Sequence, residues 1–447
     1  MALALPTRRP RSIVGLDIEP GYVAAAEVAG PDGAVERAAT APLAPGLIRD
    51  GEVVDVDALA EALRAFFKEH GLGKRVRLGV ANQRIVVRTL DLPRIEDRKE
   101  LDAAVRFQAQ EQVPMPLEQA VLDYHSLGVV QTDQGDRTRV VLVAARRDMI
   151  ERLLAAARQA GLRPEGIDLA AFAMVRALSG GGAAAPGQGN ALPAAVPANP
   201  AADPGDMDSD GDRGRPGSDG PDHGTLEPEV PGPYGLDLGS EGNGAGEGGP
   251  AASDGGAVAG DAFVLAQASA HAAALDELRG TTLYVSVGGL TNVAVAEGSI
   301  CRFTRIVSTG LESMAAGLAE RRGLRLDHSH QWLRHVGLTA PTDSIDGDPA
   351  IVDDARAELA DGTRRIADEV RASMDFYRTQ ELGLGVDQAV LTGSALQVPG
   401  FAARFAADLG VPVSTRVVAE ARPGALEGVD AGAVTVAAGL AVEERAA

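Results

Sequence analysis

Between Ser179 and Gly260 the chain loses the means to fold. These 82 residues hold 22 Gly and 11 Pro, a single aromatic (Tyr234), and 13 acidic residues against two arginines. Fixing a backbone costs roughly 1–2 kcal/mol per residue, and so little apolar surface cannot offset that. The segment therefore reads as a disordered, self-repelling tether that splits the 447-residue chain into two folded parts. Its acid-and-glycine runs lack the ordered ligand spacing of a calcium loop. It carries −11 of the formal net charge of −21, so the folded parts are only mildly acidic. A nucleic-acid partner is not expected, because phosphate is repelled by a chain of this charge without a local basic patch.

The lone cysteine, Cys301, excludes intrachain disulfides and cysteine-cluster metal sites and fits a reducing compartment. No apolar run reaches the roughly 18–20 residues of a membrane helix. The start, with Arg8, Arg9 and Arg11 and no apolar run behind them, is not expected to be a secretory signal. The expectation is a cytoplasmic protein.

The two parts are built alike. In the first, the β-like runs Ser12–Asp17 and Tyr22–Ala29 flank a Pro20-Gly21 turn, which predicts a hairpin. A helix is predicted over Val56–His70 from the spacing of Leu59, Leu63, Phe66 and Phe67, with Gly71 as its stop. Strands at Arg75–Ala81 and Arg84–Leu90, a helix at Arg98–Gln112, strands near Ala120–Val130 and Arg137–Ala144, and a helix at Asp148–Ala160 follow. In the second part, Thr282–Val287 and Asn292–Ala296 form another hairpin about Gly288-Gly289. Helices are read at Leu311–Arg322, His328–His335, Ala350–Gln380 and Phe401–Leu409, a buried strand at Val386–Leu391, and an amphipathic helix at Gly432–Glu443. A glycine-turned hairpin opening each part implies two α/β lobes related by duplication.

Such turns can aim backbone N–H groups at phosphate oxygens, and two of them facing across a cleft could clamp a nucleotide. The first is Asp17-Ile18-Glu19-Pro20-Gly21-Tyr22, with Asp17 placed to meet a magnesium ion through water. The second contains Gly288, Gly289, Thr291 and Asn292, and a third, Gly393-Ser394, follows a buried strand where an adenosine could rest. A zinc reading of His328, His330 and His335 lacks a converging further ligand, and a solvated helix is expected there instead. Gly180–Gly182 lacks the Gly-Lys-Ser/Thr that would make it a P-loop.

Several strings then carry a specific resemblance. VGLDIEPGYVAAAEV, RIVVRTLDLP at 84–93, the 101–128 segment with its Gln-Val-Pro-Met-Pro-Leu and Leu-Asp-Tyr, EVRASMDFYRTQ at 369–380 and LTGSALQVPGFAARFAADLGVPV at 391–413 are similar to the PilM family. These are the actin-like cytoplasmic components of type IV pilus assembly, related in fold to the division protein FtsA. The resemblance implies a two-lobed, actin-like α/β fold of the duplicated ribonuclease-H type. Residues 1–11 would be disordered, 12–178 the first lobe with an inserted subdomain at about 94–170, 179–260 the tether, and 261–447 the second lobe. The last helix, 432–444, would return to the first lobe. It further implies ATP with magnesium in the interlobe cleft, with Glu369 and Ser373 in the adenosine helix. A first-lobe groove near Arg84–Leu90 and Gln112–Tyr124 would take the cytoplasmic tail of a PilN-like inner-membrane protein and so couple to a PilN–PilO platform. The chain would then sit at the inner face of the cytoplasmic membrane through its partners, with self-association compatible with the fold.

Departures from the family pattern bear on chemistry. Relatives read Asp-Ile-Gly-Ser and then a Lys in the first turn, where this chain has Glu19, Pro20 and Ala24. A carboxylate repels phosphate, and proline removes an N–H donor. Ser286 replaces the second acidic group, Ala372 an adenosine-helix Arg and Ala395 a glycine. The expectation is an adaptor with a degenerate nucleotide cleft. The alternatives are an active actin-fold ATPase that drives or gates assembly, and a division-type filament protein. The acidic ending GLAVEERAA argues against the membrane-binding helix of the latter.

Overall fold

The structure is a computed structural model that describes residues 13–30, 33–133, 135–179, 183–184, 280–379 and 385–442. The expected disordered N-terminus, nearly all of the 179–260 tether and the last five residues lie outside the described residues.

The first lobe opens with β1 (Val14–Glu19), β2 (Tyr22–Ala29) and β3 (Ala34–Pro42), all antiparallel neighbours. Helix α1 (Val56–His70) starts at Asp55, whose carboxylate accepts from Ala58 N, and ends at a left-handed Gly71. It buries Leu59, Leu63, Phe66 and Phe67, the stripe its spacing predicts. Strand β4 (Arg75–Val80) then lies parallel to β1.

Next the chain leaves the main sheet. Strand β5 (Val86–Pro93), helix α2 (Arg98–Gln112), β6 (Ala120–Thr132) and β7 (Gly135–Arg146) form a separate three-stranded sheet in the order β5-β7-β6. It has its own small core, in which Leu101, Val105 and Ala109 of α2 meet Leu90, Leu92, Val140 and Leu142. A bidentate Arg139–Asp91 pair, both contacts 2.6 Å, ties β7 to β5.

The insertion thus spans 86–146 rather than about 94–170. Helix α3 (Arg147–Gln159) and strand β8 (Arg163–Leu169) return to the lobe. The physical reason is their apolar content: Met149, Ile150, Leu153, Ile167 and Leu169 all bury in the main core. Helix α4 (Ala170–Ser179) closes the lobe, whose sheet order is β8-β4-β1-β2-β3.

The second lobe repeats this plan. Strands β9 (Thr281–Val287), β10 (Thr291–Glu297) and β11 (Ile300–Val307) are antiparallel. Helices α5 (Leu311–Arg322), α6 (Leu326–Val336) and α7 (Pro349–Arg378) precede β12 (Gln388–Thr392), α8 (Phe401–Leu409) and β13 (Val413–Thr415). The order β11-β10-β9-β12-β13, with β12 parallel to β9 and β13 parallel to β12, matches the first sheet strand for strand.

The last helix, α9 (Thr435–Ala441), packs on α4, β1 and β2 of the first lobe. It is shorter than the 432–444 expected, and it is not amphipathic, because every residue in it is buried. Its small side chains allow this. A Cβ on Gly439 would lie 1.9 Å from the Ala173 carbonyl oxygen, and one on Gly15 of β1 would lie 1.8 Å from that of Ala437. Arg176 and Arg77 donate to the helix's terminal carbonyls, at Gly439 (2.6 Å) and at Leu440 and Val442 (3.0 and 2.8 Å).

Candidate functional site

Strand β1 ends in the tight turn Pro20-Gly21, and the cleft chemistry hangs from it. Gly21 has φ of +89°, a conformation that favours glycine, and a Cβ there would lie 2.5 Å from the Glu312 carboxylate at the start of α5. That carboxylate is held by His330 Nε2 at 2.7 Å. Among the described residues no group of three or more His, Cys, Asp or Glu could hold a metal, and the histidine segment lies on α6, which buries Ser329, Leu333 and Val336.

Glu19 turns out to be the central residue. It is buried at 2% exposure, and it reaches across to the second glycine turn. Its Oε2 accepts from Gly289 N at 2.7 Å and Leu290 N at 3.3 Å, while Oε1 faces Asn292 Nδ2 at 3.5 Å. The Tyr22 hydroxyl bonds to the same carboxylate. Burial raises the Glu19 carboxyl to about 7, against the lowering effect of its N–H donors. Burial, then the nearness of Glu19, pushes Asp17 well above the usual carboxylate range. Asp17 Oδ2 and Asn292 Oδ1 are buried without a hydrogen-bond partner. Asp430, just before α9, is also raised by burial although it caps Gly432 N at 2.9 Å.

The structure thus brings together Asp17, Gly21, Tyr22, Gly288, Gly289 and Asn292. Thr291 is adjacent but turns its hydroxyl to the Thr309 carbonyl at 2.7 Å. Gly393 has φ of +98°, and a Cβ on it would lie 2.4 Å from the Val287 carbonyl oxygen; Ser394 beside it is buried. Glu369 and Ser373 are elsewhere engaged: Arg305 of β11 contacts Glu369 at 2.8 Å and Ser373 Oγ at 3.4 Å. With Arg305, Glu369 lines an interlobe cavity of about 380 Å³, together with Asn82, Gln83, Ser308 and Thr309.

The N–H groups of Gly289 and Leu290 that a phosphate would need are already bonded to Glu19. The sequence marks Glu19 as a departure but gives no sign of its partner. For Asp430, Glu312 and Arg305 it offers no signal at all.

A second concave surface lies on the insertion. A groove of about 470 Å³ runs between α2 and β6, lined among others by Arg98, Asp102, Arg106, Tyr124, His125 and Leu142. The Tyr124 hydroxyl donates to Asp102 Oδ1 at 2.5 Å, and burial with that bond pushes the phenol up to about 12. Burial lowers His125. Among the described residues β6 pairs only with β7, so its other edge has no strand partner. Of the segments expected to form a groove, Leu122–Tyr124 lines it, whereas Val86–Leu90 lies in β5 at the far side of the small sheet. The helix Arg98–Gln112 supplies the opposite wall.

Residues 15–196 match the family model for the type IV pilus assembly protein PilM. The solved structure of a PilM-PilN type IV pilus biogenesis complex is similar in fold, with a TM-score of 0.64 at 21% identity over 97% of this chain and 100% of that one. Weaker likenesses include the ethanolamine utilization protein EutJ from Carboxydothermus hydrogenoformans (TM-score 0.45, 12% identity, 97% of this chain and 90% of that one). Another is MreB5 of Spiroplasma citri bound to ADP (TM-score 0.43, 10% identity, 96% and 94%). Over residues 15–196 the chain is thus similar to the PilM family of type IV pilus assembly proteins, and as a whole it carries the two-lobed actin-like fold.

Proposed function

We propose that this protein is an adaptor in pilus assembly that docks the cytoplasmic tail of a PilN-like membrane protein on its first-lobe insertion. The observation carrying this reading is the α2–β6 groove beside an unpaired strand edge. An extended peptide can add to such an edge through main-chain hydrogen bonds and seat alternate side chains in the groove. The similar solved complex, which pairs a PilM with a PilN, supports this choice of partner. Among the described residues no helix is long and apolar enough to cross a membrane, so attachment to a PilN–PilO platform at the inner membrane face would come through the partner.

The cleft supports adaptor work rather than turnover. With Glu19 in the second turn, Ser286 in place of an acid and Asp17 buried, ATP with magnesium has neither a phosphate cradle nor an exposed metal carboxylate. Binding of the partner's N-terminal peptide to the purified full chain, lost in Arg106→Glu with Tyr124→Ala, tests the docking surface. Magnesium-dependent ATP hydrolysis abolished by Asp17→Ala would sink the adaptor reading.

A further inference from the structure

We propose that Glu19 is the resident ligand of the second glycine turn: its carboxylate fills the oxyanion place of a phosphate and joins the two hairpins without nucleotide. Oε2 takes the Gly289 and Leu290 N–H groups, the pair of successive backbone donors that makes an anion-binding concavity. Oε1 faces the Asn292 amide, and Tyr22 adds its hydroxyl. The carboxylate's acceptor capacity is therefore met from β2 on its own lobe and from the turn on the other.

The glycines of the second turn serve this contact. A Cβ on Gly288 would lie 2.4 Å from Glu19 Oε2 and 2.7 Å from the Tyr22 hydroxyl. One on Gly289 would lie 2.2 Å from the Pro20 carbonyl oxygen. Two bare backbones in succession let the Glu19–Pro20 corner enter the turn. The glycines that read as phosphate-facing in the sequence here face protein.

An external phosphate and Glu19 cannot share the cradle. Both need the same two N–H groups, and two anions at hydrogen-bond range of one donor pair repel strongly. The cradle is thus a phosphate site held shut by competition from within the chain, and removal of the carboxylate should open it to pyrophosphate-bearing ligands. This holds whatever docks on the insertion, which presents a different surface.

The test uses the full chain as wild type, Glu19→Gly and Glu19→Gln, titrated calorimetrically with magnesium pyrophosphate and magnesium ATP. Amide resonances of Gly289 and Leu290 are followed in parallel. Wild type should show no saturable binding at millimolar ligand. Glu19→Gly should bind at least about tenfold more tightly, with both amides shifting on addition. Glu19→Gln keeps the shape without the charge; it should fall between, and it carries the test if the glycine variant does not fold. Wild type binding pyrophosphate as tightly as the variants, with the same amide shifts, would overturn the proposal. So would folded variants that bind neither ligand.

Discussion

Glu19 is the residue on which the cleft turns, and its ionisation has a measurable consequence. The carboxyl, ordinarily near 4.5, is raised to about 7 by burial. A raised value means that its stabilising contribution is complete below the ordinary value and is lost as pH rises through about 7. Wild type should therefore lose on the order of 1–3 kcal/mol more stability than Glu19→Gln between about pH 5 and 8. Denaturant unfolding across that range checks it; parallel curves for the two proteins would contradict it. A second residue-scale prediction concerns Asp168, fully buried and paired with Arg176 at 2.6 Å. Arg176→Met leaves that carboxylate without its partner and should cost about 3–5 kcal/mol in the same assay. The sequence shows Glu19 as an oddity but not what it meets, because the partner turn lies 270 residues along the chain. Pairings of that separation are set by tertiary packing and leave no local pattern.

At the scale of elements, the hairpins and the longer helices are legible because each has its own signal. Helix α1 announces itself by Leu59, Leu63, Phe66 and Phe67, and both hairpins by glycine-bearing turns. The third strand of each sheet, β3 and β11, is silent in the sequence, since ERAATAP and ICRFTRIV alternate too weakly to read. The last helix misleads for a different reason. Its residues are nearly all small and apolar, so the sequence places neither its ends nor an exposed side, and it has no exposed side. A sharp test lies at Gly439. Helix propensity alone favours Gly439→Ala by about 1 kcal/mol. The new Cβ, however, would lie 1.9 Å from the Ala173 carbonyl oxygen, a backbone atom of α4 that has no side-chain freedom to move away. Overpacking of this kind costs typically about 1–3 kcal/mol, so packing should win and the variant should unfold at lower denaturant. A more stable variant would mean that α9 does not sit against α4 as described.

Across the whole molecule, the cleft and the insertion's groove are separate surfaces. The duplicated lobes form a cleft in which Glu19 bonds to the second glycine turn, while the insertion offers a groove and, among the described residues, a strand edge without a partner. The duplication is readable from the sequence, but the extent of the insertion is not, because α3 and β8 follow it without a break and only their burial assigns them to the main core. If partner docking belongs to the insertion, nucleotide should be irrelevant to it. The most direct measurement is a calorimetric titration of the N-terminal peptide of the PilN-like partner into the full chain, with and without magnesium ATP. Docking on the insertion predicts saturable binding of equal affinity, within about twofold, in both conditions. Absence of binding in both, or binding that appears only with ATP, would contradict it.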